Sequence, residues 1–175
     1  MLITEEYRAQ NKQLHDANQH YGVSGHKWRQ KVRELASWGR QPILDYGCGK
    51  ASLAKSLGPA YLVTNYDPAI EGLDTSPVPH PIVVCGDVLE HIEPDCLTAV
   101  LADLWRVTMG KALFVIHLGP AKKILPDGRN THLIQKPPQW WAQTLGRAGF
   151  RILETGYDKK DYPREVSFVV ERAYQ

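Results

Sequence analysis

Apolar and polar residues fall in blocks along the chain, and the blocks switch between helical and strand-like periods. Thr4–His20 is polar, with a thin apolar stripe of Ile3, Tyr7 and Leu14 at helical spacing. Thr4 suits the cap position, where a hydroxyl accepts from a free amide of the first turn. So thin a stripe predicts a helix that packs loosely. The glycine-rich stretch Tyr21–Trp28 breaks the pattern; Trp28, Val32, Leu35 and Trp38 resume it, and Gly39 marks its end. Pro42–Tyr46 reads as a buried strand, Ala51–Leu57 as a short helix stopped by Gly58-Pro59, and Tyr61–Tyr66 as a second strand. A third apolar run, Pro81–Asp87, precedes a helix that starts near Pro94-Asp95 and buries Leu97, Val100, Leu101, Leu104 and Thr108. Lys111–Leu118 is a fourth strand, followed by about 18 residues of loop, a length that marks a functional candidate. Pro137–Ala148 forms the last helix, and Arg151–Thr155 and Glu165–Glu171 are closing strands.

Strand and helix alternate, and the apolar runs suit strands buried on both faces. The pattern predicts an α/β domain: an open, mostly parallel sheet with helices on each side. Ligands of such sheets bind beyond the carboxyl ends of the strands. The 175 residues fit one domain, with residues 1–40 as a helical cap or lid.

Composition narrows the class. A net charge of +2 is too mild to argue for nucleic acid as a partner, so nucleic acid is not the favoured one. Cys48, Cys85 and Cys96 have no metal-ligand spacing, and no cluster of ligand types suggests a metal. Their odd number, together with a start, "MLITEEYRAQ", unlike a secretion signal, predicts free thiols in the cytoplasm. No run approaches the roughly 20 apolar residues of a membrane span.

The chemistry concentrates in "ILDYGCGKASLAKSL", Ile43–Leu57. Gly47 and Gly49 let a backbone approach a ligand closely, and the helix behind them offers free amides. The dinucleotide pattern G-x-G-x-x-G fails at Ser52, and a phosphate-binding P-loop is absent. Asp45, two residues ahead of Gly47, would repel a phosphate and suits a ligand with an ammonium and hydroxyls. S-adenosylmethionine has that character: an amino acid and a sulfonium at one end, a ribose in the middle and no phosphate. Asp67 ends the next strand, 18 residues beyond Gly49, where an acid can accept both ribose hydroxyls. The plainer alternative is that Asp45 and Asp67 only form turns.

With these residues in place the chain resembles the class I S-adenosylmethionine-dependent methyltransferases over roughly Ile43–Phe150. "LDYGCGKA" is similar to their first motif, "NYDPA" to the acidic second, "VVCGDVLEHIEPD" to a DVLEH segment of small-molecule members, and "PPQWWAQTLGRAGF" to their last helix. "GVSGHKW" and "PAKKILPDGRNTHLI" resemble small enzymes encoded by bacteria and their phages. The resemblance implies a Rossmann-like sheet of seven strands, the last antiparallel. It also implies S-adenosylmethionine as cofactor and S-adenosylhomocysteine as product, held by Asp45, Tyr46, Gly47, Cys48, Gly49, Asp67, Pro68, Gly86, Asp87 and Val88. Two departures stand out: Ala51 replaces a frequent third glycine, and Ala69–Pro81 is too short for the helix and strand that carry an adenine-contacting acid. Asp74 is the acid left for that role.

Candidate catalytic residues are His117, at the fourth strand's end, His132 in the long loop, and Glu90 and His91 in the DVLEH segment. A histidine with its ordinary pKa near 6.5 suits a general base near neutral pH. Each also has a plainer structural reading: a hydrogen-bonded strand end for His117, a solvated loop for His132, and a solvated helix start with ordinary charges for Glu90 and His91. Lys122, Lys123, Arg129 and Asn130 in the loop, with Trp140, are candidates for binding the substrate, and the cations favour a phosphate or carboxylate on it. Trp140 and Trp141 are adjacent, so one faces the core and the other does not. The expected partner is a small or medium polar acceptor such as a sugar, a nucleotide or another metabolite. A glycan, a nucleic-acid base, or cofactor binding without catalysis are the alternatives.

Overall fold

The computed structural model describes residues 1–18, 21–37 and 40–173. In chain order its main elements are α1 (Glu5–Ala17), α2 (Arg29–Leu35), β1 (Ile43–Tyr46), α3 (Ser52–Leu57), β2 (Val63–Tyr66), β3 (His80–Gly86), α4 (Leu97–Val107), β4 (Thr108–His117), α5 (Pro138–Arg147), β5 (Phe150–Tyr157) and β6 (Glu165–Arg172). The strands form one sheet in the order β2-β1-β3-β4-β6-β5. β2, β1, β3 and β4 run parallel, and β6 lies antiparallel between β4 and β5. The expected layout therefore holds with one correction: six strands are described, not seven. The missing one would come from Ala69–Pro81, which is turn and coil until β3 starts at His80, so β2 is left as the sheet edge.

Successive strand residues point to opposite faces, and each face finds its own helices. Leu44, Val83 and Cys85 pack with Leu101 and Leu104 of α4 and Trp141 and Leu145 of α5. Ile43, Ile82 and Val84 pack with Val32 of α2 and Leu53 and Leu57 of α3. Leu97, Val100, Leu101 and Leu104 are buried on α4 as expected, but Thr108 opens β4 and Val107 completes the stripe; a 3-10 turn, Pro94–Cys96, leads into the helix. Trp141 is wholly buried, while Trp140 lies half-buried against it with ring centroids 5.0 Å apart.

The first helix corrects the loose-packing expectation. Thr4 caps it through Tyr7 N at 3.1 Å. The Thr4 amide and hydroxyl both donate to Glu93, at 2.9 and 2.8 Å. Tyr7 is buried and its hydroxyl donates to His91 O at 2.7 Å. One deep tyrosine and a two-pronged carboxylate hold what a thin stripe would not. The first helix ends at Ala17, with Asn18 extended, and the second at Leu35, both short of the expected ends; His20, Trp38 and Gly39 lie outside the described residues. Within the glycine-rich break, Ser24–Trp28 forms a 3-10 turn leading into α2.

Candidate functional site

The carboxyl ends of β1 to β4 open onto one cavity of about 740 Å³. That volume falls in the ~300–1,000 Å³ range of small-molecule sites. Asp45 lines it from β1 and is nearly buried. Burial, and then the Asp67 charge, push the Asp45 carboxyl up to about 7. A buried carboxyl in this state is poised for a cationic partner, whose charge would draw it back down.

Asp67, beyond β2, is committed to the backbone. One oxygen accepts from Gly49 N and the other from Ala69 N, both at 3.0 Å. The turn-forming reading of this acid is therefore correct as far as it goes. Each carboxylate oxygen keeps a second lone pair, and Asp67 lines the cavity.

Gly47 and Gly49 have positive φ, at 77° and 52°. A Cβ on Gly47 would stand 2.4 Å from Val88 Cγ2, and one on Gly49 2.5 Å from Gly22 O. The glycines are thus required by the chain's own packing, in addition to any ligand. Gly22 O also accepts from Lys50 N at 2.9 Å. The segment 21–28 therefore sits on the glycine turn, with Trp28 against Gly86. Cys48 is buried, and burial pushes its thiol well above the usual range, which disfavours the thiolate. Ala51 occupies the left-handed region at φ 54°, a conformation glycine adopts at less cost.

Asp87 follows β3 with φ 53°, unusual for a residue with a Cβ. Its Oδ1 is buried without a hydrogen-bond partner among the described residues. Glu90 is wholly buried and accepts from His117 N at 2.9 Å. Burial, then the Asp87 charge, push the Glu90 carboxyl well above the usual range. A solvated, ordinarily charged helix start is thereby excluded. His91 Nδ1 bonds Thr131 O at 2.7 Å, and His132 Nδ1 bonds Gly119 O at 2.6 Å. Burial, then His132, hold the His91 ring down at about 3, so it is neutral. The His91 and His132 ring centroids are 4.7 Å apart, and those of His132 and His117 4.8 Å. All three rings line the cavity.

No family model matches the chain, and no curated protein does. Solved structures do. A 1,6-didemethyltoxoflavin-N1-methyltransferase of Burkholderia thailandensis, with bound 1,6-didemethyltoxoflavin and S-adenosylhomocysteine, superposes with a TM-score of 0.70 at 14% identity, covering 99% of this chain and 92% of that one. The CcbJ methyltransferase of Streptomyces caelestis gives 0.66 at 12% identity, covering 96% and 98%. The magnesium protoporphyrin IX methyltransferase of Synechocystis PCC 6803, with bound S-adenosylhomocysteine, gives 0.58 at 19% identity, covering 87% and 86%. This chain has the fold of the S-adenosylmethionine-dependent methyltransferases.

Within that methyltransferase fold, the cavity gathers most of the predicted residues: Asp45, Gly47, Cys48, Gly49, Asp67, Pro68, Gly86, Asp87 and Val88 on one side, and His91, His117, Lys122, Lys123 and His132 on the other. Others lie elsewhere. Tyr46 points to the core face, donating to Asp103 at 2.8 Å. Asp74 is off the cavity, paired with Arg8 at 3.8 Å. Arg129 turns outward to Asp127 at 2.6 Å. Asn130 staples the long loop, accepting from Ala121 N and His132 N at 2.9 and 3.0 Å. Trp140 stays on the helix side, near Lys136. Two cations not foreseen, Lys27 and Arg164, join the lining. Arg164 follows β5 in a polar stretch whose sequence gives no hint that β6 returns it to the rim.

Proposed function

We infer that the chain is a cytoplasmic S-adenosylmethionine-dependent methyltransferase acting on a small or medium polar acceptor that carries an anionic group, such as a sugar, a nucleotide or another metabolite. The observation that carries this reading is the nearly buried Asp45, with Asp67 and a glycine turn beside it, at the switch point of the sheet. Buried Asp45 fits the cofactor's ammonium, and the spare lone pairs of Asp67 fit its ribose hydroxyls. The backbone around Gly86–Val88 fits the methionine end. The cofactor supplies a methyl group on a sulfonium, whose departure leaves a neutral thioether.

The chain's own work is to bind, align and deprotonate. Residues 1–40 act as a cap on the single domain, with Tyr7, Tyr21 and Trp28 walling the cavity from water. Lys27, Lys122, Lys123 and Arg164 hold the acceptor's anion at the rim, fixing its nucleophilic atom about 3–3.5 Å from the methyl carbon. Gly119 O takes up His132 Nδ1, which leaves its Nε2 free to take a proton from an attacking hydroxyl or amine; His91, its ring held down at about 3, is too weak a base for that step near neutral pH.

The test is calorimetry with S-adenosylmethionine and S-adenosylhomocysteine, then mass spectrometry of cell metabolites incubated with protein and cofactor. Binding of both, and one metabolite gaining a CH2 in mass, are expected. Absence of binding to either compound refutes the reading. Binding with no methylated product in any extract favours a cofactor-binding module instead.

A further inference from the structure

We propose that Glu90, His91 and His132 form a binding site for one divalent first-row transition ion of the zinc or cobalt type. A ligand atom from each of the three lies within 4.8 Å of the others. Ligands of a tetrahedral zinc stand about 3.4 Å apart, so side-chain rotations that move each atom by about an ångström close the set. No sequence spacing discloses this group, because Glu90 and His91 follow β3 while His132 returns from the loop after β4. The reading of the sequence as free of ligand clusters is corrected here.

The hydrogen bonds preset the donors. Thr131 O and Gly119 O can only accept, so Nδ1 of His91 and of His132 carries the proton in the neutral ring. Each Nε2 therefore keeps its lone pair. A backbone carbonyl fixing the far nitrogen is the arrangement that metal-bound histidines use. The two rings meet edge to face, with an interplanar angle of 88°. Glu90 gives one oxygen to His117 N, while its Oε2 is buried with no partner among the described residues. A divalent ion would answer that orphaned oxygen. His117 is set differently: its Nδ1 accepts from Gly119 N at 3.3 Å, leaving Nε2 with the proton in the neutral ring. It is a donor beside the site, not a ligand of it.

Two imidazoles and one carboxylate suit zinc, cobalt or iron(II) better than magnesium or calcium, which take mostly oxygen. Both histidines line the cavity, so the ion's remaining positions face solvent or an oxygen of a bound molecule. Nothing in this proposal requires methyl transfer, and its test is read without S-adenosylmethionine. The ion and a proton compete for the same His132 Nε2, so failure here leaves the proposed base in place, and failure of the methyltransferase reading leaves the ion site standing.

The full chain is stripped with chelator, returned to metal-free buffer and titrated with Co2+ by visible absorbance. Zn2+ is followed by displacement and Mg2+ serves as the hard-ion comparison. One equivalent of Co2+ with ligand-field bands, displaced by Zn2+ and not by Mg2+, is expected. His132→Gln and Glu90→Gln should each weaken Co2+ binding at least about 10- to 100-fold, the loss that even an outer partner causes. Circular dichroism checks their folding. A second measurement needs no variant: Co2+ should broaden the His91 and His132 ring resonances and spare those of His26 and His80. Lack of stoichiometric binding, affinity unchanged in both folded variants, broadening of other histidines instead, or displacement by Mg2+ each overturns the proposal.

Discussion

Replacing Asp45 by asparagine should strengthen the empty protein and cripple cofactor binding, and the two effects share one cause. Burial and the neighbouring Asp67 charge raise the Asp45 carboxyl from 3.8 to about 7. A raised folded-state pKa for an acid means that the fold prefers the neutral form. Stability is therefore highest below the ordinary value, falls as pH rises from about 4 through about 7, and levels off above it. The full difference, about three pH units at 1.36 kcal/mol each, is about 4 kcal/mol. Asparagine keeps the shape and never ionises. In urea unfolding without ligand, Asp45→Asn should exceed the wild type by up to about 4 kcal/mol at pH 8 and converge with it near pH 4. Calorimetry should show the reverse for S-adenosylmethionine. Losing a charge-assisted hydrogen bond of about 1.5–3 kcal/mol weakens binding by roughly 10- to 100-fold. Wild-type affinity should climb with pH until about 7, by the same 10- to 100-fold in all, as Asp45 loses its proton. A stability difference that does not vary with pH, or an asparagine variant that binds the cofactor normally, refutes the reasoning.

Further predictions follow from the backbone and the cap. Ala51→Gly relieves a left-handed alanine at φ 54°, and should add about 0.5–1 kcal/mol net of the unfolded-chain entropy, a melting rise of about 1–4 °C by calorimetric scan. Gly49→Ala places a methyl 2.5 Å from Gly22 O. It should lose about 2 kcal/mol or more and expose the 21–28 segment to limited proteolysis, whereas a protected segment would disprove its seating on the turn. Tyr7→Phe removes the hydroxyl bonded to His91 O at 2.7 Å and should cost about 1 kcal/mol in urea unfolding.

Much of the fold was legible in local pattern, and the exceptions have physical causes. β1 is short and buried at every position, so its apolar run announces it. β2 starts two residues later than its apolar run, because its ladder begins where Val63 meets Ile43, and Leu62 is left exposed. β4 starts three residues earlier than its run. Thr108 pairs with His80, and exposed Met109 and Gly110 give no strand signal. The strand-end residues that line the cavity were legible because one turn and the strand ends supply them in sequence order. The histidine cluster was legible only as residue types. Its grouping depends on three separate segments meeting, and on carbonyls of Gly119 and Thr131 that any residue could provide. Arg129, Asn130 and Trp140 were misread for the opposite reason: they are near the rim in sequence, but Asp127, Ala121 and Trp141 engage them elsewhere.

The shortened stretch Ala69–Pro81 links the missing strand to the well-anchored first helix. A seventh strand would flank β2 and help wall the cavity beyond Asp67. Without it, Asp67, Pro68 and Ala69 line the cavity together with Tyr7, Asn11 and His15 of α1. Asp74, the acid that the longer version would place at the ligand, instead pairs with Arg8 of the same helix. A helix with a thin apolar stripe would be a poor wall if it relied on area alone. It is held instead at discrete points: Thr4 to Glu93, Tyr7 to His91 and Arg8 to Asp74. Two of these fall on the segment after β3 that also carries Glu90, so the helix replacing a strand is tied to the part of the site where chemistry is expected. Tyr7 of α1 thus bonds the backbone of His91, whose ring stands on the rim, a contact that a strand at the far edge of the sheet would not make.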